Sequence, residues 1–291
     1  MIPLTVFRPD DVLNAGADNT ADLTRHRYRF LAQGDSWFSI GALNLAKNSN
    51  LLFEMAFAQS CCAVNCARSG STLRRMVDQV NEPAFNALLC GAQWRPWDGI
   101  LLSAGGNDMI DALGTTRIAD PSKRLFLKPS EITGDLSDAQ SYLSPTGWQT
   151  FETYLRANFV ALITMRDRRA LNRNIPVFLH TYHYPTIRNA PAGPGMGPWL
   201  YSAAVDFGIP PNLWPAIAKT LFERFASLLI SIASSHTNVH VFDSAKTVAI
   251  QPALPGTTQT SGDWVNEIHL TWQGYEKLAV GWVADIGTVL P

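Results

Sequence analysis

Ser36 closes the stretch "FLAQGDS", where an apolar run gives way to Gly34, Asp35 and Ser36. A serine there can be a nucleophile, or only the polar end of a buried strand, because Gly, Asp and Ser are common turn residues. Nucleophilic hydrolysis would need three more things: a base beside the hydroxyl, a group that orients the base, and donors for the developing oxyanion. The chain can supply them. Gly70 in "ARSGST" offers a backbone N–H that no side chain shields. Asn107 in "GGND" offers a side-chain N–H₂ donor. His269 in "DWVNEIHLTWQGY" stands just before the last helical stretch, where a loop could lean a base over a sheet edge.

The elements that must position these residues alternate along the chain. "RYRFLAQGDS", "CCAVNCARSGST", "DGILLSAGGND", "IPVFLHTYHYP" and "NVHVFDS" read as short strands, "IPVFLHTYHYP" as a buried one. "NLLFEMAFAQ", residues 50–59, has helical spacing. Residues 149–172 read as a long helix with Phe151, Leu155, Phe159, Leu162 and Ile163 on its apolar side. "WPAIAKTLFERFASLLISIASS" is a second long helix, and "TWQGYEKLAVGWVADIG" closes the chain. This β-α-β alternation predicts a parallel sheet with helices on both faces, in one domain spanning residues 1–291. Ligands of such sheets gather at the carboxyl ends of the strands. Three strands end in "GDS", "ARSGST" and "GGND", so the fold would bring these clusters to one edge. Two insertions, residues 110–148 and 184–214, follow strand ends and are expected to overhang that edge.

In this order and at these separations, "GDS", the lone glycine, "GGND" and the late histidine resemble the block pattern of the SGNH (GDSL-type) hydrolases. The resemblance runs from about residue 28 to the C-terminus and weakens at the insertions. It implies a three-layer α/β/α sandwich of the flavodoxin kind, with Ser36 as nucleophile and His269 as base. It assigns the oxyanion hole to the Ser36 and Gly70 backbone N–H groups and the Asn107 side chain. The chain departs from the pattern at the base, where the family usually carries D-x-x-H and this sequence reads "NEIH". Asn266 thus takes the orienter's position, and a neutral amide oxygen can fix an imidazole tautomer. Asp263, three residues earlier, is the second choice. The chemistry implied is hydrolysis of carboxylic esters, of small acyl groups or of O-acetyl groups on carbohydrate, through an acyl-enzyme. It needs no metal or organic cofactor. A lipase or phospholipase of the same fold, or a catalytically silent glycan- or lipid-binding member, is the alternative.

Other features bound the reading. Hydrophobic residues make up 46% of the 291 and charged residues 16%, a core-building composition. The net charge of -1 and the lack of a basic run argue against a nucleic-acid partner. Arg166, Arg168, Arg169 and Arg173 read as a solvated face at the end of a helix. The N-terminal stretch lacks the pattern of a secretory signal, and no apolar run is long enough to span a membrane. A cytoplasmic location is therefore expected, with export by another route left open. Cys61, Cys62, Cys66 and Cys90 read as reduced, buried small hydrophobes. His180 and His183 in "HTYH" have no evident third ligand for a metal. "GPGMG" does not follow the first strand of a nucleotide fold, and no G-x-S-x-G elbow is present. Asp35 and Asp108 read as structural acceptors. Tyr184, Trp199 and Trp214 in the second insertion, with Trp264 and Trp272 near the base, could line a substrate cleft or pack the loops. Tyr184 and Trp199 are the candidates for substrate contact.

Overall fold

A computed structural model describes residues 1–13, 21–39 and 49–290. Its strands are β1 (Ile2–Pro3), β2 (Thr5–Phe7), β3 (Tyr28–Gly34), β4 (Ala56–Phe57), β5 (Cys61–Asn65), β6 (Gly99–Ser103), β7 (Val177–His180) and β8 (Val239–Phe242). The helices are α1 (Asp10–Leu13), α2 (Ser36–Ser39), α3 (Leu73–Met76), α4 (Pro83–Leu89), α5 (Gly106–Leu113), α6 (Pro145–Arg166), α7 (Leu200–Asp206), α8 (Trp214–Ser234), α9 (Ser244–Thr247) and α10 (Trp272–Gly287).

Six strands form one sheet in the order β2-β5-β3-β6-β7-β8, and every neighbouring pair is parallel. Every residue of β6 and β7 is buried, as expected of central parallel strands covered on both faces. Helices α4, α6 and α8 pack side by side. Helix α10 packs with α9 and with the small antiparallel ribbon β1–β4. The result is a three-layer α/β/α sandwich. The chain leaves β3 toward β5 on one side and reaches β6 on the other, so the strand order reverses around β3. The crevice at such a reversal, at the carboxyl ends of the strands, is where open α/β sheets place their sites. Ser36 lies two residues past the end of β3.

Several expectations change. Residues 50–59 form a turn and the short strand β4, not a helix. Buried Asn50 accepts the Phe53 N–H with its side chain at 3.1 Å, and that local bond competes with helix formation. The long helix expected over 149–172 runs from Pro145 to Arg166, because Ser144 caps it by accepting the Gly147 N–H at 3.0 Å. A short 3₁₀ turn follows at Ala170–Asn172. The edge strand β2 was not foreseen in the sequence. Arg166 is not solvated. It is buried, pairs with Asp167 at 2.7 Å and donates to the carbonyls of Ile175 and Thr237 at 3.3 and 2.9 Å. Arg169 is also engaged, donating to the Cys90 carbonyl at 2.8 Å and lying over the Trp94 ring.

Candidate active site

Sheet register places the serine. Gly34 stands opposite Ser103 of β6, and the Asp35 N–H donates to the Ser103 carbonyl at 3.2 Å. A Cβ on Gly34 would lie 2.9 Å from the Ser103 Cβ and 3.0 Å from the Phe38 ring, so only glycine lets β3 and β6 close there. The chain then turns into α2, which begins with Ser36.

Asp35 anchors this turn. It is buried and accepts three bonds: from the Tyr182 hydroxyl at 2.5 Å, the Ser103 hydroxyl at 3.0 Å and the Trp37 N–H at 3.0 Å. Burial pushes its carboxyl up to about 6, and the three donors oppose that rise. His180 Nε2 bonds the Ser103 hydroxyl at 3.1 Å, and Trp37 stacks on the His180 ring. Burial holds the His180 imidazole down to about 3. Tyr182 adopts a left-handed backbone with φ of 62°, rare for a bulky side chain. In that conformation its phenol meets Asp35.

His269 arrives on the loop between α9 and α10. His269 Nε2 lies 2.7 Å from the Ser36 Oγ, and His269 Nδ1 lies 3.0 Å from the Asn266 Oδ1. The same Oδ1 accepts the backbone N–H groups of Ile268 at 3.0 Å and His269 at 2.9 Å. Those two donors fix which end of the amide faces the ring. An oxygen there can only accept, so Nδ1 carries the imidazole proton and Nε2 is free to accept from the serine hydroxyl. Burial lowers the His269 pKa to about 4, which leaves the ring neutral.

Asp263 is committed elsewhere. Its Oδ2 accepts the Gln251 N–H at 2.7 Å and pairs with Lys277 at 2.6 Å. Of the two orienters considered from the sequence, the imidazole bonds Asn266.

Of the donor candidates, Asn107 shares a small space with Ser36, and Gly70 lies on a neighbouring loop. One amide hydrogen of Asn107 goes to the Ser71 carbonyl at 3.2 Å, and the amide has a second to give. The loop that carries Gly70 is tied to the end of β3, with the Arg68 N–H donating to the Gly34 carbonyl at 3.0 Å. Ser69 and Ser39 share a hydroxyl contact at 3.1 Å, which brings that loop against α2. Gly70 is exposed, has φ of 75° and faces open space. Asp108 is buried and accepts the Leu73 N–H at 2.8 Å, joining the "GGND" turn to α3.

Both insertions reach the space beside Ser36. The first, residues 110–148, contributes Ile110 at its start, beside Met109 of α5. Further along, that insertion packs through Arg124, which pairs with Glu131 at 2.6 Å and lies over Phe207. From the strand end and the second insertion, Tyr182, His183 and Pro185 line the space. Tyr184 packs on the His183 ring, and Trp199 meets the His269 ring edge-on at 5.9 Å. Neither lines the space beside Ser36. Trp264 does, and Trp214 packs against Tyr201. His183 bonds the Val248 carbonyl at 3.1 Å. Among the described residues, no group of three or more His, Cys, Asp or Glu side chains could hold a metal ion. All four cysteines are free and buried, and burial pushes the Cys61 and Cys62 thiols up to about 11 and 12.

Sequence reasoning missed the clamp behind the base. Glu267 is buried, and its carboxylate accepts the N–H groups of Trp199, Leu200 and Tyr201 at 2.6, 2.9 and 2.7 Å. Burial raises its pKa to about 7. Buried Arg188 donates to the Asn266 carbonyl at 2.8 Å and to the Thr257 carbonyl at 3.2 Å. Together they lash the second insertion to the loop that carries Asn266 and His269. Also missed were Tyr182 and Ser103, although polar residues ending the apolar runs of β6 and β7 were a visible signal.

No family model matches the chain, and no curated protein matches it. Solved structures do. An extracellular lipase from Streptomyces rimosus superposes with a TM-score of 0.52 at 15% identity, over 90% of this chain and 99% of that one. An acetylxylan esterase from Geobacillus stearothermophilus, in a catalytic mutant, gives 0.46 at 16% identity, over 90% and 94%. A putative platelet activating factor protein from Streptococcus pneumonia gives 0.47 at 15%, over 88% and 82%. The chain has the α/β/α fold of the Streptomyces lipase, and within it Ser36, His269 and Asn266 form one hydrogen-bonded line.

Proposed function

We propose that the protein is a serine hydrolase of carboxylic esters, of the SGNH type. The observation that carries this reading is the Ser36–His269 contact of 2.7 Å, with the imidazole held at its other nitrogen by Asn266 at 3.0 Å. A neutral imidazole in that tautomer is a base aimed at the serine proton. The Ser36 oxygen attacks the ester carbonyl while its proton passes to His269 Nε2. The carbonyl oxygen becomes an oxyanion, received by the Asn107 amide and the backbone N–H groups of Ser36 and Gly70. His269 then gives the proton to the departing alkoxide, and the acyl group stays on Ser36. Water, deprotonated by the same imidazole, attacks the acyl-enzyme and releases the acid. Small acyl esters, or O-acetyl groups on carbohydrate, are the substrates this reading favours.

No described helix is long and apolar enough to cross a membrane. A reducing, cytoplasmic compartment is the location we favour, on the four unpaired, buried thiols. The test of function is ester turnover by wild type and by a folded Ser36→Ala protein. The variant is expected to lose at least ~10³-fold in kcat. Near-normal hydrolysis by the folded variant would sink the mechanism.

A further inference from the structure

The space beside Ser36 is small. Its volume is about 30 Å³, and it is walled by Met109, Ile110, Pro185, Phe222 and Ile268. A water-sized group needs roughly 10–15 Å³ of such space, so there is room for about two or three such groups. Ser36 and Asn107 open onto this same space. A carbonyl held between them therefore turns its carbon chain toward the apolar walls. Three of those walls belong to the packed interior: Met109 is fully buried in α5, Phe222 is buried in the 21-residue helix α8, and Pro185 is buried after β7. We propose that this is an acyl pocket sized for a two-carbon group, so that the natural substrates are acetyl esters, and that Ile110 and Phe222 set the length limit. The proposal rests on the serine-hydrolase reading above. The reaction it specifies is acetyl ester plus water to acetate plus alcohol: the Ser36–acyl bond forms as the ester C–O bond breaks, and water reverses the first.

The experiment is a series of p-nitrophenyl acetate, butyrate and octanoate with wild type, Ile110→Ala, Phe222→Ala and Ser36→Ala. In wild type, kcat/KM is expected to fall by at least about 10-fold from acetate to butyrate, since a misfitting hydrocarbon increment costs about that much in a hydrophobic pocket. Ile110→Ala should raise the octanoate-to-acetate ratio by about 10-fold or more, and Phe222→Ala should move it the same way. Ile110 is only half-buried, so its variant keeps the test open if Phe222→Ala does not fold. Equal turnover of octanoate and acetate by wild type overturns the proposal and leaves the hydrolase reading standing. So does a ratio that neither variant moves. A shift in preference among acetates of different alcohols, with the acyl ratio unchanged, would assign the space to the alcohol and also overturn it. If no ester is turned over in a Ser36-dependent way, the hydrolase reading itself fails, and this proposal with it.

Discussion

Ser36 and His269 meet at 2.7 Å, yet the two sides of that contact are built differently. The serine stands at the end of a central strand, and a buried carboxylate fixes its turn. Asp35 binds Tyr182, Ser103 and Trp37, and those partners come from three separate segments. The histidine stands on a long loop. A neutral amide sets its tautomer, and a carboxylate and a guanidinium behind it tie that loop to the second insertion. The place of Ser36 is thus a consequence of sheet register. The place of His269 depends on contacts between two segments far apart in the chain. The comparison teaches that charge is used around this site to hold the turn and the loops in place, while the imidazole itself is left without a carboxylate partner.

The largest effect tests the line of contact. His269→Ala should lose about 10³-fold or more in kcat, as for loss of the base in a serine hydrolase. Asn266→Ala, checked for folding, should be milder by at least about 10-fold, because a neutral orienter supplies geometry and tautomer but little charge stabilisation. Asp263→Ala should lower Tm, through loss of the Lys277 pair and the Gln251 bond, and change kcat less than Asn266→Ala does. Greater damage to kcat from Asp263→Ala would reverse the assignment of the orienter.

Asn107→Ala should cost about 3 kcal/mol in transition-state stabilisation, seen in kcat more than in KM. An unchanged kcat with a raised KM would make Asn107 a ground-state contact. On the nucleophile's side, Tyr182→Phe removes one charged hydrogen bond from Asp35 and is expected to lower stability by about 1–3 kcal/mol in denaturant unfolding. An unchanged midpoint would show that the Asp35 network does not hold the turn.

The pH dependence sharpens the contrast. Burial sets the His269 pKa to about 4, below its ordinary 6.5. The folded protein therefore keeps the base neutral above about pH 4, and the acid limb of kcat/KM should fall there, not near 6.5. The stability linked to this group is fully present above its unfolded pKa of 6.5 and is lost as pH falls toward 4. Asn266→Asp would put a carboxylate against Nδ1 and should move the acid limb upward. A limb near 6.5 in wild type would contradict the account of a buried, unpaired imidazole.

Much of the fold was legible because buried parallel strands read as apolar runs, as β3, β5, β6 and β7 did, and the half-buried edge strand β8 alternates as Val-His-Val-Phe. The three polar clusters were legible because strand ends expose turn residues. What was not legible depends on partners distant in sequence. Leu51, Leu52 and Met55 are buried without being helical, since the turn is set by Asn50. Arg166 looked like a surface charge because its acceptors, the carbonyls of Ile175 and Thr237, carry no mark in the sequence. Glu267, between Asn266 and His269 in the sequence, meets three backbone N–H groups at the start of α7. No residue type at Trp199, Leu200 or Tyr201 announces that role, because the donors are backbone.

The central claim is that Ser36 is a nucleophile activated by His269. Treatment with a serine-reactive fluorophosphonate, followed by peptide mapping, tests it most directly. The account predicts one adduct per chain, on Ser36, formed in step with loss of ester turnover and much slowed in His269→Ala. An adduct on another serine, or full turnover by protein with Ser36 modified, would contradict it.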